Sequence, residues 1–184
     1  MAGYTLTEGD SNVAIGKDAL RAVTTSDDNV AIGERAGSGN TGGSNIYIGR
    51  LAGGSNTSNN YNTVVGTNAL KDTDGAGSSS AFGYGAMQYS SADNATGIGQ
   101  YALSGATGDK NAALGNSAGA IAKGSTNSVM VGYEAGYHPT GNYNVWMGYK
   151  AGYGVVDSCA AETVGIGREA LLNITSADKN VAIG

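Results

Sequence analysis

The chain alternates short apolar segments with longer polar, glycine-rich segments along its whole length. Each apolar segment ends in a large apolar residue followed by glycine, as in the phrase NVAIG at Asn12–Gly16, Asn29–Gly33 and Asn180–Gly184. This glycine recurs at spacings of 17, 16, 17, 17, 16, 16, 17, 16, 19 and 17 residues. The chain is therefore an array of internal repeats, and repeats of this length predict a solenoid.

Within each repeat, apolar residues rich in Val and Ile stand at alternate positions before the glycine. Such alternation predicts one short β-strand per repeat. A single short strand is unstable alone, but copies laid side by side about 4.8 Å apart form a parallel sheet. The sequence therefore predicts an all-β fold, a parallel β-solenoid or β-roll of about ten turns of 16–17 residues. We expect residues 1–11 to be an N-terminal lead-in and residues 12–184 to be a single solenoid domain, a fragment of a longer fibre.

Two further positions recur in the repeat. Alanine stands three residues after the glycine in every complete copy, which predicts a buried place that admits only a small side chain. Asparagine often opens the phrase, as at Asn12, Asn45 and Asn144. We expect it at a corner of the turn, where its amide bonds the turn backbone or the equivalent residue of the next turn.

Neighbouring strand residues point to opposite faces of a sheet, so the strands need an inward and an outward face. We expect the Val and Ile positions to point into the thin core and the middle strand residue to face outward. The middle residue is uncharged in every repeat, and an uncharged outer stripe would suit an oligomer seam. We therefore predict a homotrimer around a shared axis; the alternative is a solvent-exposed column of small residues. The middle positions are Ala14, Ala31, Tyr47, Val64, Ala81, Gly97, Ala113, Met130, Trp146, Gly165 and Ala182.

Composition and charge exclude several functions. The net charge is −5, and the 10 Lys and Arg residues are scattered, so we expect no nucleic-acid partner. Cys159 is the only cysteine, which excludes a disulfide within the chain and a cysteine metal cluster. No apolar stretch approaches the roughly 18 residues of a membrane span, so we expect no membrane insertion. The first residues have no charged and apolar regions of the secretory-signal type.

Residues that could carry catalysis are sparse. His138 is the only histidine and lies beside the only proline in a predicted loop tip. The stretches GIGQYA at Gly97–Ala102 and GIGREA at Gly165–Ala170 match a dinucleotide-binding pattern, but both coincide with the repeat. The segment from Asp72 to Gly75 is half of a calcium-loop pattern without the remaining ligands. We expect no catalytic residue, no cofactor and no metal site, so the chain is not predicted to be an enzyme.

Aromatic residues cluster in two consecutive repeats, VGYEAGYHPTGNYN and MGYKAGYGVVD. The repeat register places Tyr133 over Tyr149 and Tyr137 over Tyr153. Three interpretations are open: a ladder that stabilises stacking, a subunit interface, or a patch that binds a glycan or protein receptor. The candidate residues are Tyr133, Tyr137, Tyr143, Trp146, Tyr149 and Tyr153.

The repeats NVAIGKDAL, NTVVGTNAL, NAALGNSAG and NVWMGYKAG resemble those of bacteriophage tail fibres, which often end in an endosialidase-type chaperone domain. The phrase NVAIG with alanine three residues later also resembles the head repeats of YadA-type trimeric autotransporter adhesins. The resemblance implies a trimer of parallel β-rolls with a small-residue core. Adhesin head repeats are shorter than those in this chain, which favours the tail-fibre family.

The resemblance implies a structural and adhesive rod on the virion that contributes to host-surface attachment, with a cell-surface glycan or protein as its receptor. One alternative is the head of a trimeric adhesin on the bacterial cell surface. Another is a segment of a glycan depolymerase tailspike, which would need a pair of carboxylates in a groove. Ice binding would need regular threonine ladders on every turn, and the sequence has none.

Overall fold

The computed structural model describes residues 1–55, 58–73, 75–154 and 159–184. Each repeat contributes one three-residue strand, and no helix occurs in these four ranges. The strands are β1 (Val13–Ile15), β2 (Val30–Ile32), β3 (Ile46–Ile48), β4 (Thr63–Val65), β5 (Ser80–Phe82), β6 (Thr96–Ile98), β7 (Ala112–Leu114), β8 (Val129–Val131), β9 (Val145–Met147), β10 (Val164–Ile166) and β11 (Val181–Ile183).

All 11 strands form one parallel sheet in the order of the sequence. Equivalent repeat positions are paired without a shift: in the first pair, Ala14 lies beside Ala31 and Ile15 beside Ile32. The chain is thus a β-solenoid of about ten turns, as the repeat spacing predicts. At about 4.8 Å per strand, the sheet is about 48 Å long.

The sheet faces the opposite way from our expectation. The middle residue of the strand lies in the core, with Ala31 and Met130 fully buried, whereas Ile15 is 57% and Leu114 50% exposed. In a strand of three residues the two ends share one face and the middle residue takes the other, so the buried middle residue leaves both ends pointing outward. A turn of this length leaves room for one strand side chain, because the rest of the turn fills the interior. The prediction that Val and Ile form the core and the middle column faces outward was therefore wrong.

The alanine column fills the opposite side of the core, as predicted. Its members are between 0% and 9% exposed: Ala19, Ala36, Ala52, Ala69, Ala86, Ala102, Ala118, Ala135, Ala151 and Ala170.

Large and small residues alternate between two core positions, the middle of the strand and the residue four after the repeat glycine. Tyr47 is a large strand residue, and a Cβ at Gly53 of the same turn would lie 2.1 Å from its ring. Where the strand residue is small, as at Gly97, the second position carries a large residue, here Leu103, which is buried. In most turns the core volume is thus filled by one large side chain from either position, as close packing requires. Where both positions are small, as at Ala31 and Gly37, side chains of neighbouring turns fill the space: a Cβ at Gly37 would lie 2.8 Å from Tyr47 and 2.9 Å from Leu20.

The repeat glycine is required by its backbone conformation. In every copy its φ lies between +122° and +154°, a region that side chains rarely adopt. A Cβ on Gly33 would also lie 2.7 Å from the backbone of Gly49 in the next turn. Glycine therefore permits both the turn and the close stacking of successive turns.

The asparagines that open the phrase form a ladder along one corner. The Asn29 N–H donates to Asn12 Oδ1 at 3.0 Å, and the Asn45 N–H donates to Asn29 Oδ1 at 3.1 Å. Ser79 and Thr163 continue the ladder with hydroxyl oxygens. The predicted corner role of asparagine is confirmed: each side chain satisfies a buried backbone donor of the next turn.

The lead-in segment covers the first turn. The Gly3 N–H donates to the Ala19 carbonyl at 2.9 Å, and the Thr7 N–H donates to the Thr24 carbonyl at 3.1 Å. Leu6 packs against the hydrophobic core from this side.

Candidate functional site

Four tyrosines of the aromatic cluster form two stacked pairs, as the repeat register predicts. The Tyr133 and Tyr149 ring centroids are 5.4 Å apart and the rings 10° from parallel. The Tyr137 and Tyr153 centroids are 5.2 Å apart, again at 10°. Equivalent positions of parallel in-register turns lie about 4.8 Å apart, so identical rings stack face to face along the rod axis.

An ion pair lies between the two stacks. Lys150 Nζ is 5.6 Å from the Tyr149 ring centroid and 5.2 Å from that of Tyr153, distances at which a cation is attracted to a ring face. The same ammonium group is 3.3 Å from the Glu134 carboxylate. The hydrogen bond from Lys150 to Glu134 raises the pKa of the lysine. A hydrogen bond to Glu134 also raises the pKa of Tyr133.

His138 packs beside the second stack. Its ring meets Tyr137 at 77° with centroids 4.6 Å apart, and Tyr153 at 85° with centroids 5.6 Å apart. The histidine is therefore an edge-to-face neighbour of both tyrosines.

Two residues of the predicted aromatic patch do not belong to it. Trp146 is the middle residue of β9 and only 1% exposed, because its indole fills the core beside Gly136 and Gly152. It cannot contact a receptor, so its inclusion in a surface patch was wrong. Tyr143 is exposed, but it precedes β9 whereas Tyr149 follows it, so the two tyrosines lie at opposite ends of that strand.

The stacks cover part of the ring surface on which a sugar could stack. One face of Tyr149 lies against Tyr133, and the Arg168 guanidinium of the next turn is 5.7 Å from the Tyr149 ring centroid. Stacking of a saccharide on an aromatic ring needs an uncovered face, and stacking within each pair covers one face of each ring, while Tyr133 and Tyr149 remain 45% and 44% exposed. Of the three interpretations, this geometry favours the stabilising ladder.

A second surface, the outer face, consists of the first and third residues of every strand. None of these 22 positions carries a charge, and only Thr63, Ser80 and Thr96 are polar. Every one is partly or largely exposed. The outer face consists of Val13, Ile15, Val30, Ile32, Ile46, Ile48, Thr63, Val65, Ser80, Phe82, Thr96, Ile98, Ala112, Leu114, Val129, Val131, Val145, Met147, Val164, Ile166, Val181 and Ile183.

A third feature, the corner cavity, was not anticipated from the sequence. It has a volume of about 330 Å³ and lies where the chain approaches strands β4, β5 and β6. Its lining is polar apart from one aromatic ring: Ser58, Asn59, Asn60, Tyr61, Gly75, Gly77, Ser78, Asp93 and Asn94.

The stretches that resemble dinucleotide-binding motifs are packing features. Gly97 and Gly165 are middle strand residues, and a Cβ there would lie 2.9 Å from Met87 Cγ and 2.8 Å from the Trp146 ring, respectively. No helix follows either glycine to receive a phosphate at its N-terminus. In the half calcium motif, Asp72 pairs with Lys71 at 3.2 Å, and Asp74 lies outside the described residues.

Within the four described ranges, no group of three or more His, Cys, Asp or Glu side chains is placed to hold a metal ion. Cys159 is free and exposed. No helix in the same ranges is long and apolar enough to cross a membrane.

Three comparisons with known proteins gave no relative from which a function could be transferred. No protein-family model, no curated protein and no solved structure matches the chain.

Proposed function

We propose that this chain is a rod segment of a trimeric attachment fibre, carried on a virion as part of a phage tail fibre. The observation that carries the proposal is the outer face. It is an uncharged and mostly apolar strip about 48 Å long that runs the length of the sheet at the usual strand spacing.

A strip of this kind needs a partner. Contiguous apolar patches on monomeric soluble proteins rarely exceed a few hundred square ångströms, and larger ones mark interaction sites. Burying Ile, Val, Leu and Met side chains contributes roughly 25 cal/mol for each Å² removed from water. The strip is uncharged and runs along the rod, so copies of the chain standing side by side can bury it against one another.

Closed symmetry follows from this arrangement. Copies related by rotation about an axis parallel to the rod each present the same face to that axis, so the assembly closes and forms no open filament. Three copies, instead of two, are supported by the resemblance of the repeats to those of trimeric fibres and adhesins. The small-residue interior of each solenoid lies within one chain, and the large aliphatic residues lie between chains.

The function follows from shape and valency. A stiff rod holds surface groups away from the particle that carries it, and three copies present each group three times. Multivalent contact raises overall avidity by about 10² to 10⁴ over a single site without any new contact. The same geometry would serve the head of a bacterial adhesin, so the surface to which the rod binds separates the two functions.

Cell binding tests the proposal. Labelled protein is expected to bind some strains in a panel of bacteria, and a variant that no longer assembles is expected to bind at least tenfold more weakly. Binding to no strain, or equal binding by the unassembled variant, would contradict an attachment role. Binding to animal cells alone would favour the adhesin head, and release of reducing sugar from bacterial surface polysaccharide would favour a depolymerase.

A further inference from the structure

We propose that the corner cavity binds a neutral saccharide. This inference rests on the proposed attachment function for its biological role, and it names the ligand class that the rod would recognise. The site is distinct from the tyrosine stacks and from the outer face.

The corner cavity is an open surface depression, and its size fits a small ligand. Its volume of about 330 Å³ is at the lower end of the roughly 300–1,000 Å³ typical of small-molecule sites. Asn59, Gly77 and Asp93 are half-buried and form the floor. Exposed residues, among them Tyr61 and Ser78, form the rim.

The cavity lies beside a glycine that interrupts a ladder of side chains. Two residues before the phrase-opening position, a side-chain oxygen accepts a backbone N–H of the preceding turn. Asp27 Oδ1 accepts from Asp10 at 2.7 Å. Asn60 Oδ1 accepts from Gly43 at 2.7 Å, and Asp93 Oδ1 accepts from Gly77 at 2.6 Å.

Gly77 stands between Asn60 and Asp93 in this ladder and has no side chain to continue it. The Asn60 N–H therefore receives no acceptor from residue 77. A Cβ at residue 77 would lie 3.6 Å from Asp93 Oδ1 and 3.9 Å from Asn59 Oδ1, both lining residues. The missing side chain thus leaves a space bordered by polar atoms.

The polar side chains that line the cavity can form hydrogen bonds with the hydroxyl groups of a sugar. Carboxamides of Asn and hydroxyls of Ser offer both donors and acceptors, and the Asp93 carboxylate is a strong acceptor. A saccharide hydroxyl can donate to a carboxylate and accept from an amide at the same time. Tyr61, which is 69% exposed, adds an apolar ring at the rim against which the C–H face of a sugar can pack.

Charge selects among saccharides. Among the described residues, the lining contains one carboxylate and no Lys, Arg or His, and the whole chain carries a net charge of −5. A sialic acid, uronic acid or phosphorylated sugar would place an anion beside Asp93 without a compensating cation. We therefore assign the cavity to neutral hexoses and N-acetylhexosamines.

The direct experiment is titration of the isotopically labelled full chain with a panel of neutral disaccharides, followed by amide chemical shifts. At least one neutral disaccharide is expected to move the amide signals of Gly75, Gly77 and Asp93 in a saturable way. An absence of shifts with every neutral sugar, shifts confined to the tyrosine stacks, or tighter binding of a sialylated disaccharide would overturn the proposal.

Two variants test the location of the site. The G77A substitution places a methyl group in the cavity at ordinary contact distances, and Gly77 has no left-handed φ, so the fold is expected to tolerate it. It should weaken saccharide binding at least tenfold. Y61A should also weaken it at least tenfold. The matched control is Y143A, since Tyr143 has the same backbone conformation (φ 60° against 62°), similar exposure (62%) and the same repeat position.

The outcomes separate this inference from the proposed function. Undiminished saccharide binding by G77A and Y61A, or an equal loss in Y143A, would overturn the assigned location. If G77A attaches to cells as well as the unaltered chain does, the cavity is not the attachment site, while the attachment role stands. Saccharide binding that is lost in G77A, in a chain that attaches to no cell, would support the site and count against the attachment role.

Discussion

The two faces of the same sheet carry opposite kinds of residue. The inner face is mostly Ala and Gly, with Val64 and only three larger residues, Tyr47, Met130 and Trp146. The outer face is mostly Val and Ile and remains largely exposed in the single chain. Along the strands, the usual arrangement of a globular domain is thus reversed, whereas large residues outside the strands, such as Leu20, Leu70 and Leu103, fill the core. We therefore expect the inner residues to determine the fold of one chain and the large outer residues to determine the proposed assembly.

The inner face is also specific in a way that the outer face is not. A core position that is large in one turn forces glycine nearby, as Trp146 does at Gly152 and Gly165. Outer positions accept Val, Ile, Leu, Met and Phe in no evident pairing. We therefore expect inner substitutions to act on the stability of the chain, and outer substitutions to act on the number of chains.

The largest effect is expected from charges on the outer face. The double substitution I32D/I98D should convert the assembly to single chains, because buried unpaired carboxylates cost several kcal/mol each at a contact. Sedimentation measures the mass, and circular dichroism should show the β-structure retained. Q100E, which adds an acid at an exposed position outside the strands, is the control and should leave the mass unchanged. Assembly that survives the double substitution would show that the outer face is not the contact.

The next largest effect is expected in the core, where a large residue at one position should be able to replace the lost volume of another. W146A should lower the free energy of unfolding by about 3–5 kcal/mol because it leaves a cavity. G152L should also destabilise, since a Cβ there lies 2.1 Å from the Trp146 ring. The double variant W146A/G152L should recover most of the loss, because Leu103 and Leu171 occupy the same repeat position at φ 51° and 54°. Denaturant unfolding gives the three values, and additive losses would contradict the shared core volume.

A smaller loss of stability is expected from breaking the ladder of phrase-opening asparagines. In N45A the Asn62 N–H loses its acceptor, now at 2.9 Å, and the carbonyl groups of Gly43 and Asn59 lose donors. A buried unsatisfied group costs about 1–3 kcal/mol, which thermal unfolding would show as a lower Tm. N116A, at an exposed asparagine outside the ladder, should change stability by no more than about 0.5 kcal/mol. Equal losses in the two variants would argue against the ladder.

The smallest effect concerns Glu134. In the folded chain its carboxylate raises the pKa of both Lys150 and Tyr133. Raised pKa values stabilise the fold at pH values below the unfolded pKa, and this contribution is lost as pH rises through the folded pKa. We therefore expect no change near neutral pH from titration of either group, and a loss of stability above about pH 10. In E134Q, ultraviolet titration of tyrosinate should show the pKa of Tyr133 lowered, with Y133F identifying the signal; an unchanged titration curve would contradict the assignment.

Much of the fold could be predicted from the sequence because the same pattern recurs in every repeat. The glycine spacing gives the strand register, the alanine column gives a buried small position, and the asparagine column gives the corner. Which face of the sheet points into the core could not be predicted, since apolar alternation with period two is compatible with either face. The decisive fact is the three-residue strand length, which leaves the two outer residues no room inside a narrow turn.

The candidate sites were less predictable for related reasons. The tyrosine stacks follow from register alone, so the sequence places Tyr133 over Tyr149. Trp146 was misassigned because an aromatic cluster in sequence does not distinguish core from surface. The corner cavity lies beside Gly77, and only the contacts between neighbouring turns show that this glycine, like Gly43, interrupts a ladder of side chains.

The most direct test of the account is the mass of the unaltered chain in solution, measured by sedimentation equilibrium over a range of concentrations. One chain weighs 18.2 kDa. We expect a single species of about three times that mass, with the outer face buried between copies. A stable, soluble species of 18.2 kDa at all concentrations would contradict the central claim that this face is an interface.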